Sequence, residues 1–109
     1  MLAISSNARI FFFQNPVDMR KGIEGLSSLV EVFCAGELMS GAYFVFVNRL
    51  KDKMKVLYWD SDGFAIWWKR LEKGSFRLIG NKTLIDRKEF FMLLEGITPQ
   101  RIQKRFKIS

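Results

Sequence analysis

The segment 56–76, VLYWDSDGFAIWWKRLEKGSF, brings strand-forming aromatics, an acidic-glycine turn and clustered cations into one short span. Aromatic and β-branched side chains suit a pleated, half-buried surface. Asp62-Gly63 between two such runs is a strong local signal for chain reversal. Two antiparallel strands are therefore predicted at 54–59 and 64–71. Alternation sets Lys55, Leu57 and Trp59 on one face of the first strand, against Met54, Val56 and Tyr58. In the second, Ala65, Trp67, Lys69 and Leu71 oppose Phe64, Ile66, Trp68 and Arg70. Both faces mix aromatic with apolar residues, so the pattern leaves open which one meets the helices.

Further elements flank this hairpin. Residues 9–14, with Ile10-Phe11-Phe12-Phe13 at the centre, read as a first strand ended by Asn15-Pro16, because proline cannot donate to a ladder. Asp18 is the expected cap of a helix whose apolar face repeats through Ile23, Leu26, Leu29, Val30, Phe33 and Cys34. Gly22 and Gly25 each cost a helix about 1 kcal/mol relative to alanine, so regular helix is expected only from Ile23, and Gly36 ends it. Residues 43–47 read as a short apolar strand, and the turn Glu72-Lys73-Gly74-Ser75 leads into a fourth strand at 76–79. A second helix has the fuller signal: Asp86 as cap, Glu89 three residues on, and Ile85 with Phe90 as a hydrophobic staple. Thr98-Pro99 opens a short basic helix. The predicted fold is a single α+β domain: an antiparallel sheet of four to five strands, two main helices on one face, and the basic C-terminal helix.

The ordered blocks Asp18-Met19-Arg20-Lys21-Gly22, Phe44-Val45-Phe46, Lys55-Val56-Leu57-Tyr58-Trp59-Asp60, Asp62-Gly63-Phe64, Lys69-Arg70-Leu71-Glu72-Lys73-Gly74 and Leu94-Glu95-Gly96 carry a resemblance. Together they resemble the TnpB, or Orf2-like, accessory proteins of bacterial insertion sequence family sixty-six. The resemblance covers residues 9–96 and leaves 97–109 as a basic arm. It implies a role in transposition beside a separate transposase, and it implies no catalytic residue.

Charge narrows the partner. The chain of 109 residues carries a formal net charge of +7. Residues 1–42 hold three basic and four acidic groups, 43–80 eight and four, 81–99 three of each, and 100–109 four basic and none acidic. A cationic surface confined to the hairpin and the C-terminal arm attracts polyanions by releasing counterions, so DNA is the leading partner. The candidate nucleic-acid contacts are Arg20, Lys21, Lys55, Trp67, Lys69, Arg70, Lys73, Arg101, Lys104 and Arg105. Tryptophan beside lysine is the combination single-strand binders use; the competing reading is that each tryptophan is core. Arg20 and Lys21, read at the first helical turn, form a phosphate clamp or pair with Asp18 or Glu24.

Other chemistries find less support. Histidine is absent, which removes imidazole as base or ligand. No phosphate-cradling glycine loop, nucleophile elbow or zinc spacing occurs, so no cofactor, metal or catalytic residue is expected. Asp60 and Asp62 fit a turn better than a metal pair, since aspartate tolerates left-handed geometry and bonds its own backbone; a metal-dependent nuclease, with Asp18 and Glu72 converging on them, is the outside reading. Cys34 is the single cysteine, read as a small buried hydrophobe. No apolar run approaches the ~20 residues of a membrane span, and a cytoplasmic protein is expected. Beside the DNA-binding accessory stands a second reading, an adaptor whose aromatic sheet face docks on the transposase or on its own twin.

Overall fold

The computed structural model describes residues 2–77, 80 and 82–95. Along the chain lie β1 (Ile10–Phe12), α1 (Ile23–Phe33), β2 (Tyr43–Val47), β3 (Lys53–Asp60), β4 (Gly63–Arg70), β5 (Leu84–Ile85) and α2 (Arg87–Leu94). They build one five-stranded sheet in the order β4-β3-β2-β1-β5.

The sheet is mixed, where a purely antiparallel one was expected. β1 runs parallel to β2, pairing Ile10 with Tyr43 and Phe12 with Val45, while β5 runs antiparallel to β1 on its other side. Parallel neighbours need a long crossover, and α1 with its flanking turns supplies it. The expected strand at 76–79 is not present at its start: Phe76 is fully buried, but its N–H donates to Lys51 O at 2.6 Å rather than to a strand. Leu78 and Ile79 lie outside the described residues, as do Arg101, Lys104, Arg105 and the expected C-terminal helix.

The helices cover opposite faces, which corrects the one-face arrangement. Leu26 and Val30 of α1 join Phe44, Phe46 and Leu57 in one core, closed by Val17 and Ala42. Phe90, Leu93 and Leu94 of α2 join Val45, Val47, Met54 and Val56 in the other, with Leu2 and Ile4 alongside. Phe44 and Phe46 alternate with Val45 and Val47, so successive residues of β2 enter different cores. A strand apolar at every position is the mark of a sheet sandwiched on both sides.

The local signals behave as their chemistry requires. α1 starts at Ile23. Its cap is Gly22, which has no side chain to give, and not Asp18. α2 has the full reciprocal cap: Glu89 N–H donates to Asp86 Oδ1 at 2.7 Å and Asp86 N–H donates to Glu89 Oε1 at 3.1 Å. The β3–β4 hairpin is in register from Asp60–Gly63 to Lys53–Arg70. Its two-residue loop is Ser61-Asp62, with Ser61 held at φ 56°, a conformation more usual for glycine, asparagine or aspartate.

Candidate nucleic-acid interface

The basic end of the sheet is built around Asn48. Its amide oxygen accepts from the N–H groups of Asp52 and Lys53, both at 3.0 Å, and its amide nitrogen donates to Asp52 Oδ1 at 2.7 Å. Lys51 N–H closes the turn on Asn48 O at 3.1 Å, and Lys51 itself sits at φ 60°. One side chain thus sets the path of the β2–β3 turn and holds Arg49, Leu50 and Lys51 outward. The chain leaving β4 is tied to the same turn, since Leu71 N–H donates to Asp52 O at 2.7 Å. Arg70 and Lys73 are thereby drawn to the end of the sheet that carries Arg49, Lys51 and Lys53.

Register sharpens the charge. Lys53 lies directly across from Arg70, and Lys55 from Trp68. Like charges across a ladder oppose pairing. Here they are moderated by Asp52, 3.9 Å from Lys53, and by Glu72, 3.1 Å from Arg70. The asparagine hydrogen bond, assisted by Lys53 and Arg70, lowers the pKa of the Asp52 carboxyl. The other end of the hairpin is acidic, with Asp60 and Asp62 exposed at its tip. Eight strand residues separate the two ends by roughly 25 Å.

Lys55 performs a structural task as well. Its ammonium donates to Met19 O at 2.7 Å and to Lys21 O at 2.9 Å, pinning the turn before α1 to the sheet. Carbonyl dipoles solvate the charge without cancelling it, so Lys55 remains a fixed, half-buried cation. Within that turn Asp18 accepts from Arg20 N–H at 2.8 Å and from Arg20 Nη2 at 2.7 Å. This corrects two expectations: Arg20 and Lys21 precede the helix instead of opening it, and the Asp18 carboxylate serves Arg20 in place of a helix cap. The Arg20 side chain is otherwise 91% exposed.

The side-chain and then the backbone hydrogen bonds from Arg20 hold the Asp18 carboxyl at a pKa of about 2, below its ordinary 3.8. A depressed carboxyl stabilises the folded chain above its unfolded pKa and loses that contribution as pH falls through the folded value. An NMR titration is expected to place the Asp18 midpoint near 2. Replacing Arg20 with glutamine should move it up toward the ordinary value.

A groove of about 980 Å³ runs between the Asp18–Arg20 turn and the β2–β3 turn, and Arg20, Arg49, Lys53, Lys55, Leu50 and Trp68 line it. Of the expected contact residues, Arg20 and Lys55 meet there, with Arg70 next to Lys53 on the same face. Trp67 and Lys69 do not join them. Trp67 packs against the α2-side core, and Lys69 Nζ donates at 3.4 Å to Leu94 O, at the C-terminal end of α2, where a cation meets the negative pole of the helix. Lys21 lines a separate groove of about 450 Å³ beside Phe13, Phe33 and Cys34. Lys73 is exposed in the turn beyond β4. Trp68, offset by one residue from Trp67, is the exposed tryptophan, at 51%.

Arg49, Lys53 and Trp68 are the residues that the sequence reading did not place among the contacts. A period-two count from Lys55 reaches Lys53, and a count from Arg70 reaches Trp68. Only the cross-strand register joins those two pairs.

Elsewhere, Arg9 forms a two-point ion pair with Glu37, and Lys82 pairs with Glu89 at 2.7 Å. Cys34 is a half-buried free thiol whose pKa burial raises, helped by Glu37. Among the described residues, no three His, Cys, Asp or Glu side chains converge to hold a metal. No helix among them is long and apolar enough to cross a membrane.

Comparison with known proteins sets this arrangement in a family. The IS66 Orf2-like protein family matches residues 8–104, reaching into the basic arm. Two proteins of Sinorhizobium fredii (strain NBRC 101917 / NGR234) align over nearly their whole length. The one named "Uncharacterized protein y4jC" is 31% identical over 108 residues, covering 96% of this chain and 92% of the relative. "Uncharacterized protein y4hO" is 28% identical over 110 residues, covering 98% and 96%. No solved structure matches. Asp18, Met19, Arg20 and Lys55, from the blocks that carry the resemblance, line the groove, and the chain belongs to the IS66 Orf2-like protein family, which points to an accessory role in insertion-sequence transposition.

Proposed function

We propose that the chain is a non-catalytic, cytoplasmic accessory factor of transposition that binds DNA through the basic end of its sheet and assists a separate transposase. The observation that carries this reading is the cross-strand juxtaposition of Lys53 with Arg70, beside Lys55, Arg49 and Arg20 around one groove. Stability alone disfavours like charges opposite one another, whereas a polyanion rewards them by releasing its counterions. Lys21, Lys73, Arg101, Lys104 and Arg105 would extend the contact without reading sequence.

An adaptor reading has its own observation. α1 turns Val32 and Phe33 outward, 72% and 64% exposed, with Met39 also exposed nearby in the chain. An apolar surface of that kind suits a protein partner, the transposase or a second copy. A salt titration of the purified chain against single-stranded DNA, duplex DNA and transposase in parallel separates the two. DNA affinity that falls linearly on a log–log scale with salt is expected. Transposase capture that survives nuclease and high salt, with no DNA binding at low salt, would replace the DNA reading by the adaptor.

A further inference from the structure

We infer that the groove takes an unpaired nucleic-acid strand, with one base stacked on the Trp68 indole and the adjoining phosphates held by Arg49, Lys53 and Lys55. The inference rests on the DNA-binding reading above and specifies the form of DNA.

Trp68 carries the argument. Neighbouring tryptophans are absorbed by the fold: Trp67 packs on the α2-side core, and Trp59 lies edge-on to Phe64 with ring centroids 5.0 Å apart. Trp68 lies on the α1 face but on the edge strand β4, away from the Phe44, Phe46 and Leu57 positions that α1 covers. A half-exposed indole on a strand gains little from water, and here it lines a groove together with Arg20, Arg49, Lys53 and Lys55.

The charges are placed for a backbone running past that ring. Lys55 is the direct cross-strand neighbour of Trp68, which sets their Cβ atoms about 5 Å apart. Its ammonium is held by two carbonyl oxygens and pays little ordering entropy on binding. Lys53 lies two residues along on the same face, and Arg49 comes from the ordered β2–β3 turn. The groove contains one carboxylate, Asp18, already paired with Arg20.

A paired duplex would leave the indole idle. Its bases are stacked against each other and present only their edges in the grooves. A single strand exposes base faces, and stacking on an aromatic platform within a cationic groove is how such strands are held without sequence preference.

The test uses the full chain, a fluorescent oligothymidylate of about 12 nucleotides and a hairpin duplex. Trp68→Ala is expected to weaken oligothymidylate binding by roughly 5- to 150-fold while leaving duplex binding unchanged; Trp68→Phe should recover most of the loss. In Trp59→Phe/Trp67→Phe, where Trp68 is the remaining indole, its emission should be quenched by the oligothymidylate and not by the duplex. That measurement also stands in should the alanine variant fold poorly. Equal losses on both DNAs, an unaffected single-strand affinity or an unquenched indole would overturn the stacking inference. The basic DNA interface survives such a failure if Arg49→Ala/Lys53→Ala still weakens both DNAs; absence of wild-type binding to either DNA would remove interface and inference together.

Discussion

Alanine at both Arg49 and Lys53 is expected to weaken DNA binding by roughly 10- to 100-fold near 0.1 M salt and to reduce the slope of log affinity against log salt by about 1.8 for duplex, or about 1.4 for a single strand. Each neutralised phosphate contributes about 0.9 or 0.7 to that slope, and two cations are removed. Neither residue belongs to a core, and Lys53 is held only by a 3.9 Å approach to Asp52. Its removal also relieves the opposition to Arg70 across the ladder. Binding should therefore fall while the thermal midpoint holds or rises slightly. Fluorescence anisotropy over a salt series, with thermal unfolding monitored by circular dichroism, measures both. An unchanged slope would mean that these cations meet no phosphate.

Phe44→Ala is expected to cost about 3–5 kcal/mol, a large share of the 5–15 kcal/mol that holds a domain together. Phe44 is fully buried at the centre of the α1-side core, and its ring stacks on Phe11 with centroids 5.6 Å apart. The lost contacts are those that seat α1 on the sheet, and the neighbours are themselves packed: Phe46 lies 4.5 Å from Phe13, centroid to centroid. A cavity there cannot collapse cheaply. Thermal unfolding should show a midpoint more than about 10 °C lower. Val32→Ala, on the exposed outer face of the same helix, is the control and should stay within about 0.5 kcal/mol. A small effect at Phe44 would mean that α1 is held to the sheet by something other than this cluster.

Much of the local structure was readable from residue order. The start of α1 at Ile23 follows from Gly22 just before it, with Gly25 accommodated inside the first turn, and the capping box at Asp86 and Glu89 forms as its spacing requires. The hairpin of β3 and β4 appears where the aromatic runs put it, with the reversal at Ser61-Asp62, one residue before the expected Asp62-Gly63, and Gly63 opening β4. Failures came where a residue had two partners of similar chemistry to choose from. Asp18 has the composition of a helix cap, yet the Arg20 guanidinium and N–H claim it first. Trp67 and Trp68 are equivalent in a strand pattern, and only packing against the α2-side core separates them. Phe76 has the apolar character of a strand residue and is instead an anchor beneath the β2–β3 turn.

Composition and periodicity determined that the chain folds as one α+β domain, where its hairpin turns to within one residue, and that its excess positive charge lies in the middle and at the C-terminus. These are local properties, set by side-chain chemistry within a few residues along the chain. Only the tertiary structure decided that β1 lies parallel to β2, that α1 and α2 cover opposite faces, and that Trp68 shares a groove with Arg20, Arg49, Lys53 and Lys55. Those outcomes depend on which distant strands pair and in what register, a choice made by the summed burial of both cores that no single stretch of sequence records.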